Sequence, residues 1–88
     1  MDAAEEALAV TRVRSWLRTG RARKIRERAG LSQDDVARAV GTTHPQVSRW
    51  ESGLYAPARG SALRLAVLYD GLEEIAREEA AASGRVTA

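Results

Sequence analysis

The sequence predicts an all-α fold, a single compact bundle of short helices. Apolar residues recur at intervals of three and four along most of the chain, which is the spacing of one helix face. Glycines follow several of these periodic segments, where they can end a helix. The chain has 88 residues, of which 44% are hydrophobic and 30% are charged. These values are typical of one small globular domain rather than of a disordered chain.

The first helix is predicted to begin after Asp2, which can cap it, and to run to about Thr19. Its main apolar positions are Leu8, Val13, Trp16 and Leu17. This N-terminal segment, residues 1–19, either packs on the core of the domain or contributes to a dimer interface, and the sequence leaves both open. For Trp16, a place in the core is favoured over an interface.

A second helix is expected from Arg21 to Ala29, between a break at Thr19-Gly20 and Gly30, with Ala22, Ile25 and Ala29 facing inward. Residues 11–28 contain eight basic residues and one acidic residue, whereas both ends of the chain are acidic. Such a basic segment can be a solvated helix face or the binding surface for a polyanion. The two-helix motif that follows in the sequence favours the binding surface over the solvated helix face.

The stretch from Gln33 to Trp50 predicts two short amphipathic helices joined by a tight turn. Ser32 can cap the first helix, with Asp35 three residues further on in a capping-box-like arrangement. Gly41 can take a left-handed conformation and end this helix. The apolar sides are formed by Val36, Ala37 and Val40 in the first helix and by Val47 and Trp50 in the second. Two helices that cross closely over such a turn form a helix-turn-helix.

The second helix of this motif carries polar side chains on its outward face. Thr42 or Thr43 can cap it. Pro45 is tolerated in the first turn, because its missing N–H would have no partner there. The residues expected to point away from the protein are His44, Gln46, Ser48 and Arg49.

Two more helices are expected after Gly53, which should stop the second helix of the motif. A loop that contains Pro57 leads to a helix from Ser61 to Tyr69, whose apolar residues are Leu63, Ala66 and Val67, widened by Leu65, Leu68 and Tyr69. Asp70-Gly71 is expected to break the chain before a last helix with Leu72, Ile75 and Ala76. Residues 83–88 are expected to be disordered.

Composition argues against several classes of protein. The chain has no cysteine, no long apolar run, and an acidic rather than basic start, so we expect a cytoplasmic protein without disulfides or membrane contact. His44 is the only histidine, and the dense carboxylates Glu73, Glu74, Glu78 and Glu79 have no histidine partner nearby in sequence. We therefore expect no enzyme activity, no metal and no cofactor.

The segment from Ile25 to Leu68 resembles the DNA-binding domain of the Cro and phage-repressor helix-turn-helix family. The resemblance rests on IRERAGLSQDDVARAVGTTHPQVSRWESG, followed by Pro57 and the apolar helix ALRLAVLY. It covers about half of the chain. It implies a five-helix DNA-binding domain, here residues 20–82, preceded by an extra N-terminal helix, and a role in transcription that places the protein at the nucleoid.

The resemblance also implies roles for single residues. His44, Pro45 and Gln46 stand where the family places its base-reading residues, with Arg49 one turn further on. Gln33 matches a position that contacts phosphate, and further phosphate candidates are Ser32, Thr43, Ser52, Tyr55 and Arg59. Arg26 and Glu51 match a structural ion pair beneath the DNA-facing surface.

The leading hypothesis is a sequence-specific regulator that binds double-stranded DNA as a homodimer, on a near-palindromic operator with half-sites roughly 34 Å apart. The alternative is an antitoxin-type protein, which would bind a toxin partner as well as DNA. In that case the N-terminal helix or the acidic C-terminal helix would hold the partner.

Overall fold

The computed structural model describes residues 1–86, with side chains to residue 84, and this part of the chain contains five α-helices and no strand. The helices are α1 (Ala3–Thr19), α2 (Arg21–Arg28), α3 (Gln33–Val40), α4 (His44–Glu51) and α5 (Arg59–Val86). The all-α helix-turn-helix bundle predicted from the sequence is confirmed, with α3 and α4 as its two motif helices. Within the described residues, no helix has the length and apolar character needed to cross a membrane.

Side-chain caps set where three of the helices begin. The Asp2 carboxylate accepts a hydrogen bond from the Glu5 N–H at 2.8 Å at the start of α1. At the start of α3 the Ser32 hydroxyl accepts from the Asp35 N–H at 3.0 Å, and the Asp35 carboxylate accepts from the Ser32 N–H at 2.8 Å. The backbone N–H of Ser32 thereby lowers the pKa of Asp35. These starts agree with those expected from the sequence.

The turn between α3 and α4 depends on Gly41. Its φ of 75° is left-handed, and the next residue, Thr42, donates its N–H to the Ala37 carbonyl at 2.8 Å. The backbone then enters α4 at Thr43, whose hydroxyl accepts from the Gln46 N–H at 3.3 Å. Thr43 rather than Thr42 is the cap, and Pro45 occupies the first turn.

All five helices contribute to one hydrophobic core, including α1. The buried residues are Ala9, Val10, Val13 and Leu17 of α1; Ala22 and Ile25 of α2; Val36, Ala37 and Val40 of α3; Val47 and Trp50 of α4; and Ala62, Leu65, Ala66 and Tyr69 of α5. The N-terminal helix therefore packs on the core of its own chain. Trp16 is partly buried against this core, and the guanidinium groups of Arg12 and Arg21 lie 5.6 and 5.4 Å from its ring centroid.

The break expected at Asp70-Gly71 is wrong, because α5 is one continuous helix of 28 residues. A glycine inside a helix costs about 1 kcal/mol relative to alanine, which packing on either side can offset. Tyr69 and Leu72 flank the glycine and pack on the core, and the Asp70 carboxylate is held 2.6 Å from Arg12 of α1. Helix α5 extends to Val86, into the segment from Ser83 that is predicted to be disordered, while Thr87 and Ala88 lie outside the described residues.

Several apolar residues expected inside are exposed. Val67 is 70% exposed, Leu8 66% and Ile75 52%, and Ala29 lies at the surface beyond the last turn of α2. The buried face of α5 repeats as Ala62, Leu65, Ala66 and Tyr69, so Val67 is rotated about 100° away from Ala66. The sequence shows that α5 is amphipathic, but its apolar band is wide enough to permit more than one choice of the buried side.

Candidate nucleic-acid interface

Helix α4 presents a polar face to solvent. Val47 and Trp50, 1% and 3% exposed, fix the opposite face in the core. His44, Pro45 and Arg49 are exposed, and Gln46 is partly exposed. The Arg49 guanidinium lies 3.5 Å from the Gln46 side-chain oxygen, a marginal hydrogen bond that leaves both side chains able to bind other groups. The four residues expected to read bases thus lie on one short helix, all at least partly accessible.

A buried ion pair connects the end of α4 to α2. The Arg26 guanidinium donates Nε to Glu51 Oε2 at 2.7 Å and Nη2 to Glu51 Oε1 at 2.9 Å, and Nη1 reaches the Leu31 carbonyl at 2.9 Å. The two side chains are 10% and 3% exposed. The hydrogen bonds to Glu51 raise the pKa of Arg26, which keeps its guanidinium charged. This is the pair that the family resemblance implies, and it holds α4 from beneath.

Gln33 links this pair to the exposed face. Its side-chain nitrogen donates to Glu51 Oε1 at 3.0 Å, and its side-chain oxygen lies 2.8 Å from His44 Nε2. Gln33 begins α3 and His44 begins α4. Both residues are expected from the family resemblance to contact DNA, but their contact with each other is not predicted from the sequence. Only the crossing of the two helices, which brings their first turns together, makes this contact visible.

Most of the phosphate candidates already have a local partner. Ser32 and Thr43 are the exposed caps of α3 and α4. The Ser52 hydroxyl donates to the Arg49 carbonyl at 2.6 Å and accepts from the Leu54 N–H at 3.3 Å. Tyr55 is 59% exposed. Arg59 is paired with Glu6 of α1 at 2.8 Å, so its charge is partly neutralised within the molecule.

The basic segment of residues 11–28 is less positive in the fold than in the sequence. Arg12 and Arg21 pair with Asp70 and Glu73 of α5 at 2.6 and 2.7 Å. The other paired members are Arg23 with Glu27, at 3.5 Å, and Arg26 with Glu51. Arg14 donates to the Pro57 carbonyl at 3.1 Å. Among the described residues, Arg18, Lys24 and Arg28 of this segment have no such partner, whereas Asp70 and Glu73 of α5 compensate part of its charge.

Within residues 1–86, no three histidine, cysteine, aspartate or glutamate side chains are grouped so that they could hold a metal ion. Two of the four clustered glutamates of α5 form ion pairs, Glu73 with Arg21 at 2.7 Å and Glu74 with Arg77 at 2.6 Å. What the site offers chemically is a convex helix face with hydrogen-bond donors and acceptors, which suits recognition of another surface.

Comparison with known proteins agrees with this geometry. A sequence model of the helix-turn-helix family matches residues 23–75, which include α3, α4, most of α2 and the first part of α5. Neither the comparison with curated proteins nor that with solved structures gives a match. Because the matched segment is more than half of the chain, the chain belongs to the helix-turn-helix family of DNA-binding regulators that includes Cro and the phage repressors.

Proposed function

We propose that the protein is a sequence-specific transcriptional regulator that inserts α4 into the major groove of duplex DNA. The observation that carries this proposal is the outward face of α4, fixed from below by Trp50 and by the pair of Arg26 and Glu51. The major groove is wide enough to admit one helix, and its base edges present distinct patterns of donors and acceptors. A rigid helix with accessible polar side chains meets both requirements.

Three side chains on the outward face of α4 have chemically suitable targets. Arg49 can donate two hydrogen bonds to O6 and N7 of guanine, and Gln46 can pair with N6 and N7 of adenine. Pro45 offers only apolar contact, for example to a thymine methyl group. The contact between Arg49 and Gln46 is weak enough to break when DNA binds.

Phosphate contacts would flank these base contacts and fix the register of the protein on the duplex. The N-termini of α3 and α4 carry unpaired backbone N–H groups and a positive dipole end, which favour an anion. Gln33 and Thr43 carry their backbone N–H groups at these N-termini, whereas the N–H of Ser32 already donates to the Asp35 carboxylate, so Ser32 would contact phosphate through its hydroxyl. Ser52, Tyr55 and Arg59 follow α4 in the chain, and Arg59 must leave its ion pair with Glu6 to bind a phosphate fully.

Two copies of the chain would bind a near-palindromic operator, since a two-fold dimer places two α4 helices about one helical turn of DNA apart. The exposed apolar side chains of α1 and α5, namely Leu8, Val67 and Ile75, support contact with a second copy. Sedimentation of the wild type and of Ile75→Lys and Val67→Lys variants tests this. A dimer that neither change weakens would place the interface elsewhere, and a monomer at the concentration that binds DNA would contradict it.

The function is tested by selecting bound sequences from random duplexes and then measuring affinity as a function of salt. We expect a preferred sequence, and we expect Arg49→Ala to lower affinity for it by about 1–3 kcal/mol at one base position. Arg38→Ala is the matched control, because Arg38 is an exposed arginine of α3 that pairs with Asp34 at 3.1 Å. Steep salt dependence without any preferred sequence would leave only nonspecific binding.

The antitoxin alternative requires a surface on the chain that a partner protein can bind. Helix α5 continues past the core with Ile75 half exposed among acidic residues, and this is a surface that a partner protein could cover. A stable complex with a separate protein, purified together with the chain and disrupted by Ile75→Lys, would favour the alternative. A homodimer without a second protein would favour the simple regulator.

A further inference from the structure

We propose that Gln33 fixes the ring of His44 so that its unprotonated Nδ1 is presented to DNA and selects a base that carries an amino group, adenine or cytosine. This inference rests on the proposed function, because it requires α4 to enter the major groove. It gives the side chain of Gln33 a positioning role, whereas the family resemblance gives it a phosphate contact.

The contact with Glu51 fixes the orientation of the Gln33 amide. Both side-chain oxygens of Glu51 accept hydrogen bonds from the Arg26 guanidinium, which can only donate, so Glu51 acts here as an acceptor. The group of Gln33 that lies 3.0 Å from Glu51 Oε1 must therefore be its NH₂ group, which donates. The Gln33 oxygen then has to point the other way, toward His44. The buried pair thus removes the usual ambiguity between the two ends of an amide side chain.

The Gln33 oxygen in turn determines the tautomer of His44. Its Nε2 lies 2.8 Å from the Gln33 oxygen, which can only accept, so Nε2 must carry the hydrogen. In a neutral imidazole only one nitrogen carries a hydrogen, which leaves Nδ1 as an acceptor. His44 is exposed, and its Nδ1 has no hydrogen-bond partner among the described residues. The chain of contacts from Arg26 through Glu51 and Gln33 therefore determines what His44 offers to a ligand.

An acceptor on His44 suits only some of the base edges in the major groove. In the major groove, the N6 amino group of adenine and the N4 amino group of cytosine are donors, whereas the guanine edge and O4 of thymine are acceptors. The lone pair on Nδ1 can accept a hydrogen bond from the amino group of adenine or cytosine, and it is repelled by the acceptors of guanine and thymine. His44 is thus expected to discriminate adenine and cytosine from guanine and thymine at one position in each half-site.

Nitrogen NMR of the free protein tests the tautomer without DNA. His44 is the only histidine, so each ring signal belongs to it. At pH 8.5, where histidine side chains are ordinarily neutral, we expect the hydrogen on Nε2 and a ring N–H signal slowed in its exchange with water. In Gln33→Met that protected signal should disappear. A hydrogen on Nδ1 in the wild type, or a protected signal that persists in Gln33→Met, would overturn the proposal.

Selection from random duplexes at the same pH tests the base assignment. The wild type should prefer adenine or cytosine at one position by roughly three- to tenfold, the effect of one hydrogen bond, and Gln33→Met should lose that preference. His44→Phe, which leaves Gln33 in place, should lose it at the same position. Gln46→Met is the matched control and should change a different position.

The outcomes separate the two proposals. If Gln33→Met weakens binding to all sequences alike and keeps the preference, then Gln33 contacts phosphate only and the positioning role is wrong. If the wild type itself prefers no sequence, the proposed function fails, and the base assignment fails with it. A wild-type preference for guanine or thymine at the position that His44→Phe changes would contradict the assignment while leaving the proposed function intact.

Discussion

Among single residues, Arg26 and Glu51 make the contacts on which the position of α4 most depends. Their two hydrogen bonds of 2.7 and 2.9 Å are almost shielded from water, and Glu51 also accepts from Gln33 at 3.0 Å. Two buried charges are costly to desolvate, so such a pair contributes little net stability but strongly disfavours the loss of either partner. Its main effect is on geometry: it fixes the end of α4 against α2 and the first turn of α3.

We therefore expect Arg26→Met and Glu51→Met each to lower the free energy of unfolding by about 3–5 kcal/mol, since each leaves one buried charge unpaired. The double variant should lose much less than the sum of the two single effects. Urea unfolding of the four proteins in a double-mutant cycle measures this coupling. Additive effects would show that the two side chains do not interact as the structure indicates.

Tyr69 is a buried residue whose hydroxyl has no hydrogen-bond partner among the described residues. The side chain is fully buried in the core, and this burial raises the pKa of Tyr69 well above its usual range. An unpaired buried hydroxyl is unfavourable, because it has lost its hydrogen bonds to water.

Replacement of Tyr69 by phenylalanine should therefore leave stability unchanged or raise it by up to about 1 kcal/mol. Thermal and urea unfolding measure the effect. Tyr55→Phe is the control, because Tyr55 is exposed and its loss of a hydroxyl should not change stability. A loss of more than about 1 kcal/mol in Tyr69→Phe would mean that the hydroxyl is hydrogen-bonded in the folded protein.

At the scale of helices, two glycines have different backbone conformations: one lies in the turn of the motif and the other in the interior of α5. Gly41 has a φ of 75° and Gly71 lies inside a helix, and a Cβ added at either would meet no atom within 4 Å. Substitution by alanine therefore changes backbone energy alone. Gly41→Ala should lower stability by about 1–2 kcal/mol, because a Cβ is unfavourable in the left-handed region.

Gly71→Ala should instead raise stability by about 0.5–1 kcal/mol, since alanine is the better helix former. Urea unfolding of the two variants, side by side, compares these opposite signs. A destabilised Gly71→Ala would support the break at Asp70-Gly71 that the sequence suggests and the structure does not contain.

Local signals made most of the helices predictable. Ser32 with Asp35, Gly41, and Pro45 after Thr43 act through hydrogen bonds and backbone angles within a few residues, so their effect can be read from the sequence alone. Gly71 is also a local signal, but contacts of α5 with α1 override it. The contact of Gln33 with His44 joins two helices and depends on their crossing, so no spacing in the sequence could reveal it.

At the scale of the whole molecule, charge is distributed differently in the fold than along the chain. The basic residues 11–28 and the acidic residues after Tyr69 are far apart in sequence, yet α5 pairs with α1 and α2 through Asp70 and Glu73. These pairs are at least partly exposed and contribute little stability. Their consequence is electrostatic. Among the described residues, Arg14, Arg18, Lys24, Arg28 and Arg49 are the cations of α1, α2 and α4 without an acidic partner, and they can attract a polyanion.

Methylation interference on a selected operator tests the central claim most directly, because it reports which groove the protein enters. Methyl groups on N7 of guanine lie in the major groove, and those on N3 of adenine lie in the minor groove. We predict that methylation of guanine N7 blocks binding in two clusters about one helical turn apart, and that Arg49→Ala relieves the block at one guanine in each cluster. Interference confined to adenine N3, or unchanged by Arg49→Ala, would contradict the insertion of α4 into the major groove.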